Sequence, residues 1–426
     1  MRWLIGLTLY RLTLPLLFIA AFPGWIIKML RRGGFGSDLG ERIALYNSPI
    51  EFEPCGAIHI HAVSVGESLL ALKLIRQWRI HAPHQPFLLA TGTATGHAVA
   101  RTANLPNLRV TYAPLDFPSM LKRYLDRFEP AQIILIEGEA WPHLLLACQK
   151  RHIPISLVNA RLSPRSARRY LRFANWLKPH FARLNSVALQ DEQDRQIWQN
   201  LGVPTQNIHH TGSLKIDPGS GPPPTPRPEF QTILDSFGPH RPIILAASTH
   251  DGEELAIARA ITTATPHALP AIVPRHAERR SEIRNQLQNN GYQVTLRSNF
   301  SPPAPTGKPQ VLIIDSTGEL RDWTAHATAV IIGKSFLALG GQNPCEAIAA
   351  SIPIICGPHM ENFEPLATRL TQSGACLRPQ GLGELPAAIT DALDPATAKS
   401  LTTRATSTLS PHLGATSRIV SLLTSP

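Results

Sequence analysis

The sequence predicts an α/β protein built from two consecutive doubly wound halves behind an apolar N-terminal segment. Three observations predict it. Short, near-continuous apolar runs alternate with helix-length amphipathic segments, the pattern of buried parallel strands joined by crossover helices. That alternation breaks once, at DPGSGPPPTPRPE (217–229), whose prolines and glycines cannot continue a helix or a sheet. And 426 residues, 43% of them hydrophobic, suit two domains that each bury a core. The expected boundaries are an anchor over 1–30, a first Rossmann-like domain over 31–218 and a second over 219–426.

The anchor comes first. The run WLIGLTLYRLTLPLLFIAAFPGWII (3–27) carries a single charge, Arg11. About 20 apolar residues cross a bilayer core, so its length suffices. Arg11 at bilayer depth would cost on the order of 2.5–3.5 kcal/mol, but it stands near the N-terminal end and can snorkel. Lys28, Arg31 and Arg32 follow the run, which favours a cytoplasmic C-terminal side. A cleaved signal peptide would carry its charges before the apolar run. The segment therefore either spans the membrane or lies in its interface.

After a glycine-rich hinge (31–42), the first half has candidate strands at 57–63, 86–92, 132–137 and 153–159. The second half has them at 242–248, 269–274, 310–315, 329–333 and 353–357. Two such halves in succession predict two domains facing each other across a cleft. In parallel α/β sheets ligands sit at the carboxyl ends of strands, so residues just after each run carry the chemistry.

In the first half, HAVSVGE (61–67) turns from a strand into a helix near Glu67. That carboxylate reads either as a complement to a helix N-terminus or as a general base. EGEAWP (137–142) sets Glu137 at a second strand end, followed by Glu139, and NARLSPRS (159–166) follows a third. In the second half, STHDGEE (248–254) offers Ser248 or Thr249 as a helix cap beside free amides that suit an anion. VPRH (273–276) presents Arg275, whose planar fork suits a phosphate or a base edge. GGQNPCEA (340–347) couples a Gly-Gly turn, which permits close approach to a ligand, to Asn343 and Glu346, an acid suited to ribose hydroxyls. Three such groups at successive strand ends describe a nucleotide site.

Several chemistries fail on spacing. GKS (333–335) lacks the leading glycine of a P-loop, because Thr328 stands there. There is no G-x-G-x-x-G fingerprint, no G-x-S-x-G elbow, no D-x-D pair and no zinc spacing among the histidines. No metal and no cofactor are expected. Five scattered cysteines form no C-x-x-C pair and read as free thiols.

A net charge of +11 points to a polyanionic partner. It concentrates between Arg161 and Gln190, where Arg161, Arg165, Arg168, Arg169, Arg172, Lys178 and Arg183 occur without an acid among aromatic and leucine residues. The stretch reads as a solvated basic face, as a dock for anionic lipid headgroups or a phosphorylated lipid, or as a nucleic-acid surface.

HAVSVGE, EGEAWP, NARLSPRSARRY, TGSLKID (211–217), STHDGEE, VPRH and GGQNPCEA occur in this order, and the series resembles that of the 3-deoxy-D-manno-octulosonic acid (Kdo) transferases. The resemblance covers the chain from the anchor to about Phe363. It implies a GT-B fold, CMP-Kdo as donor, a phosphorylated lipid A precursor as acceptor and no metal. It also implies work at the cytoplasmic face of an anionic inner membrane, with no nucleic-acid partner. By position, Glu67 resembles the family's catalytic base and Glu137 its second acid. Arg275 resembles the residue that faces CMP, and Asn343 with Glu346 the nucleotide contacts. Lys215 and Ser248 fall near the donor phosphate or the Kdo carboxylate. Apart from the resemblance, the basic stretch offers Arg161, Arg168 and Arg169 as the candidate acceptor contacts. Gly138, Lys334, Gln342 and Ala347 depart from the family pattern, Lys334 replacing a glycine and Gln342 a histidine. Two alternatives stay open at this point: a GT-B enzyme using a UDP-sugar, and a membrane-tethered nucleic-acid-binding protein.

Overall fold

The computed structural model describes residues 2–31, 37–46, 56–138, 140–218, 224–304 and 306–424. It divides into two compact units, Met1–Ser220 with Gly414–Pro426, and Gly221–Leu413.

The first unit holds a parallel sheet of β1 (Ile58–Ala62), β2 (Phe87–Thr91), β3 (Leu108–Tyr112), β4 (Gln132–Ile136), β5 (Ile155–Ala160), β6 (Ser186–Leu189) and β7 (Ile208–His210). Its order is β3-β2-β1-β4-β5-β6-β7. Helices α2 (Val65–His81), α3 (Ala94–Thr102), α4 (Pro118–Phe128) and α5 (Pro142–Lys150) follow the first four strands. After β5 come α6 (Pro164–Arg172) and α7 (Ala174–Phe181). Successive strand residues face opposite sides. Leu88, Ala90, Ile133, Leu135 and Leu157 therefore bury against α4, α5 and α7, while Ile60, Leu89, Ile134 and Val158 bury against α2 and α3. The order reverses at β1, so the carboxyl ends of β1 and β4 flank the switch point where such sheets bind ligands.

The second unit repeats the plan with β8 (Ile243–Thr249), β9 (Leu269–Pro274), β10 (Gln293–Leu296), β11 (Gln310–Ile313), β12 (Ala329–Ile332) and β13 (Ile354–Cys356). Their order is β10-β11-β9-β8-β12-β13, all parallel. Here β8 and β12 flank the switch point.

The structure alters one expected boundary. The second domain was expected to run to residue 426, but the chain returns to the first unit at Gly414. Buried Asp217 holds it there: its carboxylate accepts from Gly414 N at 3.2 Å, Thr416 N at 2.8 Å and Thr416 Oγ at 2.5 Å. The last helix, Ala415–Thr424, then buries Ile419, Val420 and Leu423 in the core beside α2. At the other end of the proline-rich stretch, Pro228 opens a helix, Pro228–Asp235, rather than ending a linker; residues 219–223 lie outside those described.

The N-terminal run is one helix, α1 (Arg2–Arg31), with Pro15 and Pro23 inside it. One face is seated on the first unit. Gly6 lies against Trp176 of α7, where an added Cβ would come to 3.0 Å of the indole. Tyr10 donates to Asp116 at 2.9 Å, and the Phe18 ring meets Phe117 at 5.9 Å. On the other face Ile5, Leu9, Leu12, Leu16 and Ile19 are exposed.

Candidate functional site

Glu67 lies in the first turn of α2, just beyond β1. The sequence Ser64-Val65-Gly66-Glu67 forms a variant of the capping box, in which the carboxylate reaches the Ser64 hydroxyl and the amide before the cap. Ser64 Oγ accepts from Glu67 N at 3.2 Å and donates to Glu67 Oε1 at 2.8 Å. Val63 N donates to the other carboxylate oxygen at 2.9 Å. The carboxylate is 8% exposed, so it is oriented from both oxygens at the switch point. The helix-complement reading is thus present as geometry, and it fixes the position any proton acceptor here would occupy.

Three further sequence-predicted groups lie beyond strand ends of the same sheet. Glu137 follows β4, Arg161 follows β5 and Lys215 lies in the turn after β7. Burial lowers the pKa of the Lys215 ammonium; Glu137 opposes that shift and Arg161 adds to it. Glu137 adopts φ +63° and Asn159 φ +54°, conformations that cost most non-glycine residues energy and recur at functional sites. The β5–β6 pairing shifts register between Leu157 and Ala160, an irregularity of the kind that re-aims side chains beside active sites. Buried Asn159 ties this edge together, accepting from Leu214 N at 2.9 Å and from Ser213 Oγ at 3.4 Å. Asn159 was not singled out from sequence; its place at the end of an apolar run was the available signal. Glu139 lies outside the described residues.

The second unit gathers Ser248, Arg275, Asn343 and Glu346 at the ends of adjacent strands β8, β9 and β12. Ser248 is 8% exposed with φ +57°, at a register shift between β8 and β9. Neither Ser248 nor Thr249 caps the next helix, contrary to expectation. The cap is Gly252, in the left-handed region at φ +83° and with no side chain to offer. The Thr249 hydroxyl instead donates to buried Glu254 at 3.1 Å. Of the expected anion-binding amides, that of His250 is taken by the chain's own Glu253, which accepts from it at 3.0 Å and also from Lys334 N at 2.7 Å and Phe336 N at 3.2 Å, beyond β12.

Arg275 is exposed, with its backbone N–H donating to Thr249 O at 3.0 Å. Asn343 is also exposed, and its side-chain oxygen accepts from Cys345 N at 3.0 Å, ordering the entry to the short helix Cys345–Ala349. Burial raises the pKa of the Glu346 carboxyl, against the pull of Arg321. Its Oε2 is buried and has no hydrogen-bond partner among the described residues. The Gly340-Gly341 turn, expected to admit a ligand, is packed on the chain itself. A Cβ on Gly341 would lie 2.8 Å from His359 O, while Gly340 N donates to Glu361 at 2.6 Å. Lys334 adopts φ +55°, which accounts physically for glycine as the family's residue there.

The basic stretch 161–183 folds as α6 and α7. Arg168 and Arg169 are exposed, the Arg169 guanidinium lying 5.6 Å from the Tyr170 ring. Ala167 and Phe181 turn inward and are buried, and the stretch adjoins α1 through Trp176. Among the described residues, no group of three or more His, Cys, Asp or Glu is placed to hold a metal ion.

Comparison with known proteins agrees with this picture. The family described as 3-Deoxy-D-manno-octulosonic-acid transferase (kdotransferase) matches residues 37–218. The 3-deoxy-D-manno-octulosonic acid transferase of Bordetella pertussis is 32% identical, covering 94% of this chain and 94% of its own. That of Haemophilus influenzae is 30% identical, covering 78% of each. Among solved structures, a glycosyltransferase from Rickettsia africae covers 89% of this chain and 98% of its own at 11% identity and a TM-score of 0.51, a likeness of fold. The two parallel sheets are those of a GT-B glycosyltransferase. With this extent of identity to curated relatives, the chain belongs to the 3-deoxy-D-manno-octulosonic acid transferase family of glycosyltransferases.

Proposed function

We propose that the protein is an inverting transferase that moves Kdo from CMP-Kdo to a phosphorylated lipid A precursor, lipid IVA. The work is done at the cytoplasmic face of the inner membrane, in lipopolysaccharide core biosynthesis. The observation that carries this reading is the 32% identity, end to end, with a transferase named for that sugar. It is supported by acids and cations gathered at both switch points.

In this reading the first domain, 31–218, takes the acceptor and the second takes the donor. Asn343 and the unpartnered Oε2 of Glu346 hold nucleotide hydroxyls, and Arg275 faces the CMP moiety. Ser248 and Lys215 lie toward the phosphate or the Kdo carboxylate. A sugar hydroxyl is protonated at neutral pH, so its oxygen needs a proton acceptor as it attacks. The acceptor oxygen forms a bond to the anomeric carbon of Kdo while its proton passes to Glu67. The bond from that carbon to the CMP phosphate oxygen breaks, and CMP leaves with the electron pair. Cationic groups offset the charge gathering on the leaving phosphate. Glu137 orders the acceptor side, and Arg161, Arg168 and Arg169 meet the acceptor's phosphates. No metal or cofactor enters this scheme.

Helix α1 serves as the anchor. Because Gly6, Tyr10 and Phe18 are seated on the first unit, its exposed leucine face meets lipid side-on, as an interfacial helix does. The test is to incubate purified protein with CMP-Kdo and a tetra-acylated lipid A precursor and weigh the product. A mass increase of one or more Kdo units is expected; product from UDP-sugars and none from CMP-Kdo would overturn the reading.

A further inference from the structure

A cavity of about 240 Å³ lies on the first unit beside α1. Its walls bring together Arg11 of α1, Lys122 of α4, and Lys150 and Arg151 at the end of α5, over a floor that includes Leu146 and Ala147. Lys122 and Arg151 share one carboxylate, Asp126, each at 2.7 Å. Arg11 and Lys150 have no hydrogen-bonded or ion-paired partner among the described residues. The cavity therefore carries an excess of positive charge, next to a helix whose outer face is exposed leucine.

His143 forms a further wall and is 3% exposed. Its Nδ1 lies 2.6 Å from the Asp116 carbonyl, an acceptor only, so Nδ1 carries the hydrogen. Burial lowers the pKa of this imidazole, leaving Nε2 as a bare acceptor, and Nε2 has no partner among the described residues. The Asp116 carboxylate behind it is occupied, accepting from Tyr10 Oη at 2.9 Å, His143 N at 3.0 Å and Leu144 N at 2.9 Å. The cavity thus offers cations for a phosphate, and one of its walls is the residue whose buried Nε2 is left without a partner.

We propose that this cavity binds the headgroup of an anionic bilayer phospholipid bearing a polyol, phosphatidylglycerol in kind. Arg11 and Lys150 hold its phosphate and His143 Nε2 accepts from a headgroup hydroxyl. An ethanolamine headgroup fits less well, since its ammonium would sit among cations. The proposal rests on α1 meeting the membrane, and it accounts for the one charge within the apolar run. Arg11 is not a defect in an anchor but its headgroup contact.

The experiment is vesicle flotation of the full chain with phosphatidylcholine alone and with added phosphatidylglycerol, for the native protein and for R11Q/K150Q. Native protein should bind both and prefer the anionic vesicles. With each cation near a membrane surface contributing about fivefold, the double variant should lose roughly 30-fold of that preference. Its binding to phosphatidylcholine, CMP binding and melting temperature should stay unchanged. The charge-conserving R11K/K150R should retain the preference, and His143→Phe should lower the affinity for phosphatidylglycerol relative to phosphatidic acid. Equal preference in native protein and R11Q/K150Q overturns the proposal. So does a raised KM for the lipid acceptor in neutral detergent with vesicle preference intact, which assigns the phosphate to the acceptor. Failure of the native chain to bind any vesicle overturns the membrane reading as well.

Discussion

Ser64 and Glu67 satisfy each other: the serine oxygen accepts from the Glu67 amide and donates to its carboxylate, at 3.2 and 2.8 Å. A residue proposed as the base is therefore also a structural cap, and the two roles must be separated. Glu67→Gln can keep the capping box, since glutamine serves in it, while removing the proton acceptor. It should lower kcat roughly 10²–10⁴-fold with CMP affinity within a few-fold and stability nearly unchanged. Ser64→Ala should cost about 1 kcal/mol of stability with a much smaller loss of kcat. Near-normal turnover in folded Glu67→Gln would leave Glu67 a cap and turn the search to Glu137.

Two buried histidines on β1 predict an acid-sensitive fold. His59 packs between Tyr124 and Phe128, and burial pushes its pKa down to about 3 and that of His61 to about 4. Below an ordinary value near 6.5 the unfolded chain takes up protons that the native state refuses. Stability is therefore full above that pH and falls as pH drops toward 4, by about 1.4 kcal/mol per pH unit for each histidine. Urea melts between pH 7 and pH 5 should trace that fall, and His61→Asn should reduce its slope by one histidine's share, up to about 1.4 kcal/mol per pH unit. An unchanged slope would mean that another group sets the acid limb.

On the donor side, Glu346→Ala should raise the apparent KM for CMP-Kdo with a smaller effect on the acceptor KM. The unpartnered Oε2 is the reason. Gln342→His, which restores the family's residue, should be tolerated. Loss of activity in that variant would mean that the turn has been rebuilt around glutamine.

For the stretch on α6, reversing Arg168, Arg169 and Arg172 to glutamate should weaken binding of the phosphorylated acceptor more than binding of CMP. The effect should shrink near 1 M salt, where the Debye length falls to about 3 Å. Titrating acceptor and CMP separately checks it; unchanged acceptor kinetics would leave these arginines a solvated face.

The interior strands were legible because both their faces are covered, which demands an unbroken apolar run. The strands that escaped notice are β3, β7 and β10 at sheet edges, and the four-residue β6 beside an edge. Edge burial is partial, so β3 interleaves Arg109 and Thr111 with its apolar residues, and the three residues of β7 include two histidines. The site's strand-end positions were legible for the same reason as the strands. The left-handed backbone at Glu137, Asn159, Ser248 and Lys334 was not, because it arises where sheet and loop geometry overrule local preference. Nor could spacing reveal that Glu253 would take the His250 amide after β8 together with two amides after β12.

The return of the chain at Gly414 bears on the order in which the protein is made. The whole second unit is synthesised before the helix that closes the first domain's core leaves the ribosome. At 5–20 residues per second, those intervening residues take about 10–40 s to translate. Through that interval α2 and one face of β1 and β4 lack the cover of Ile419, Val420 and Leu423, and Asp217 lacks the amides it will accept from. The nascent first domain is thus left to seek other apolar cover until the segment from Gly414 onward has followed the second unit out.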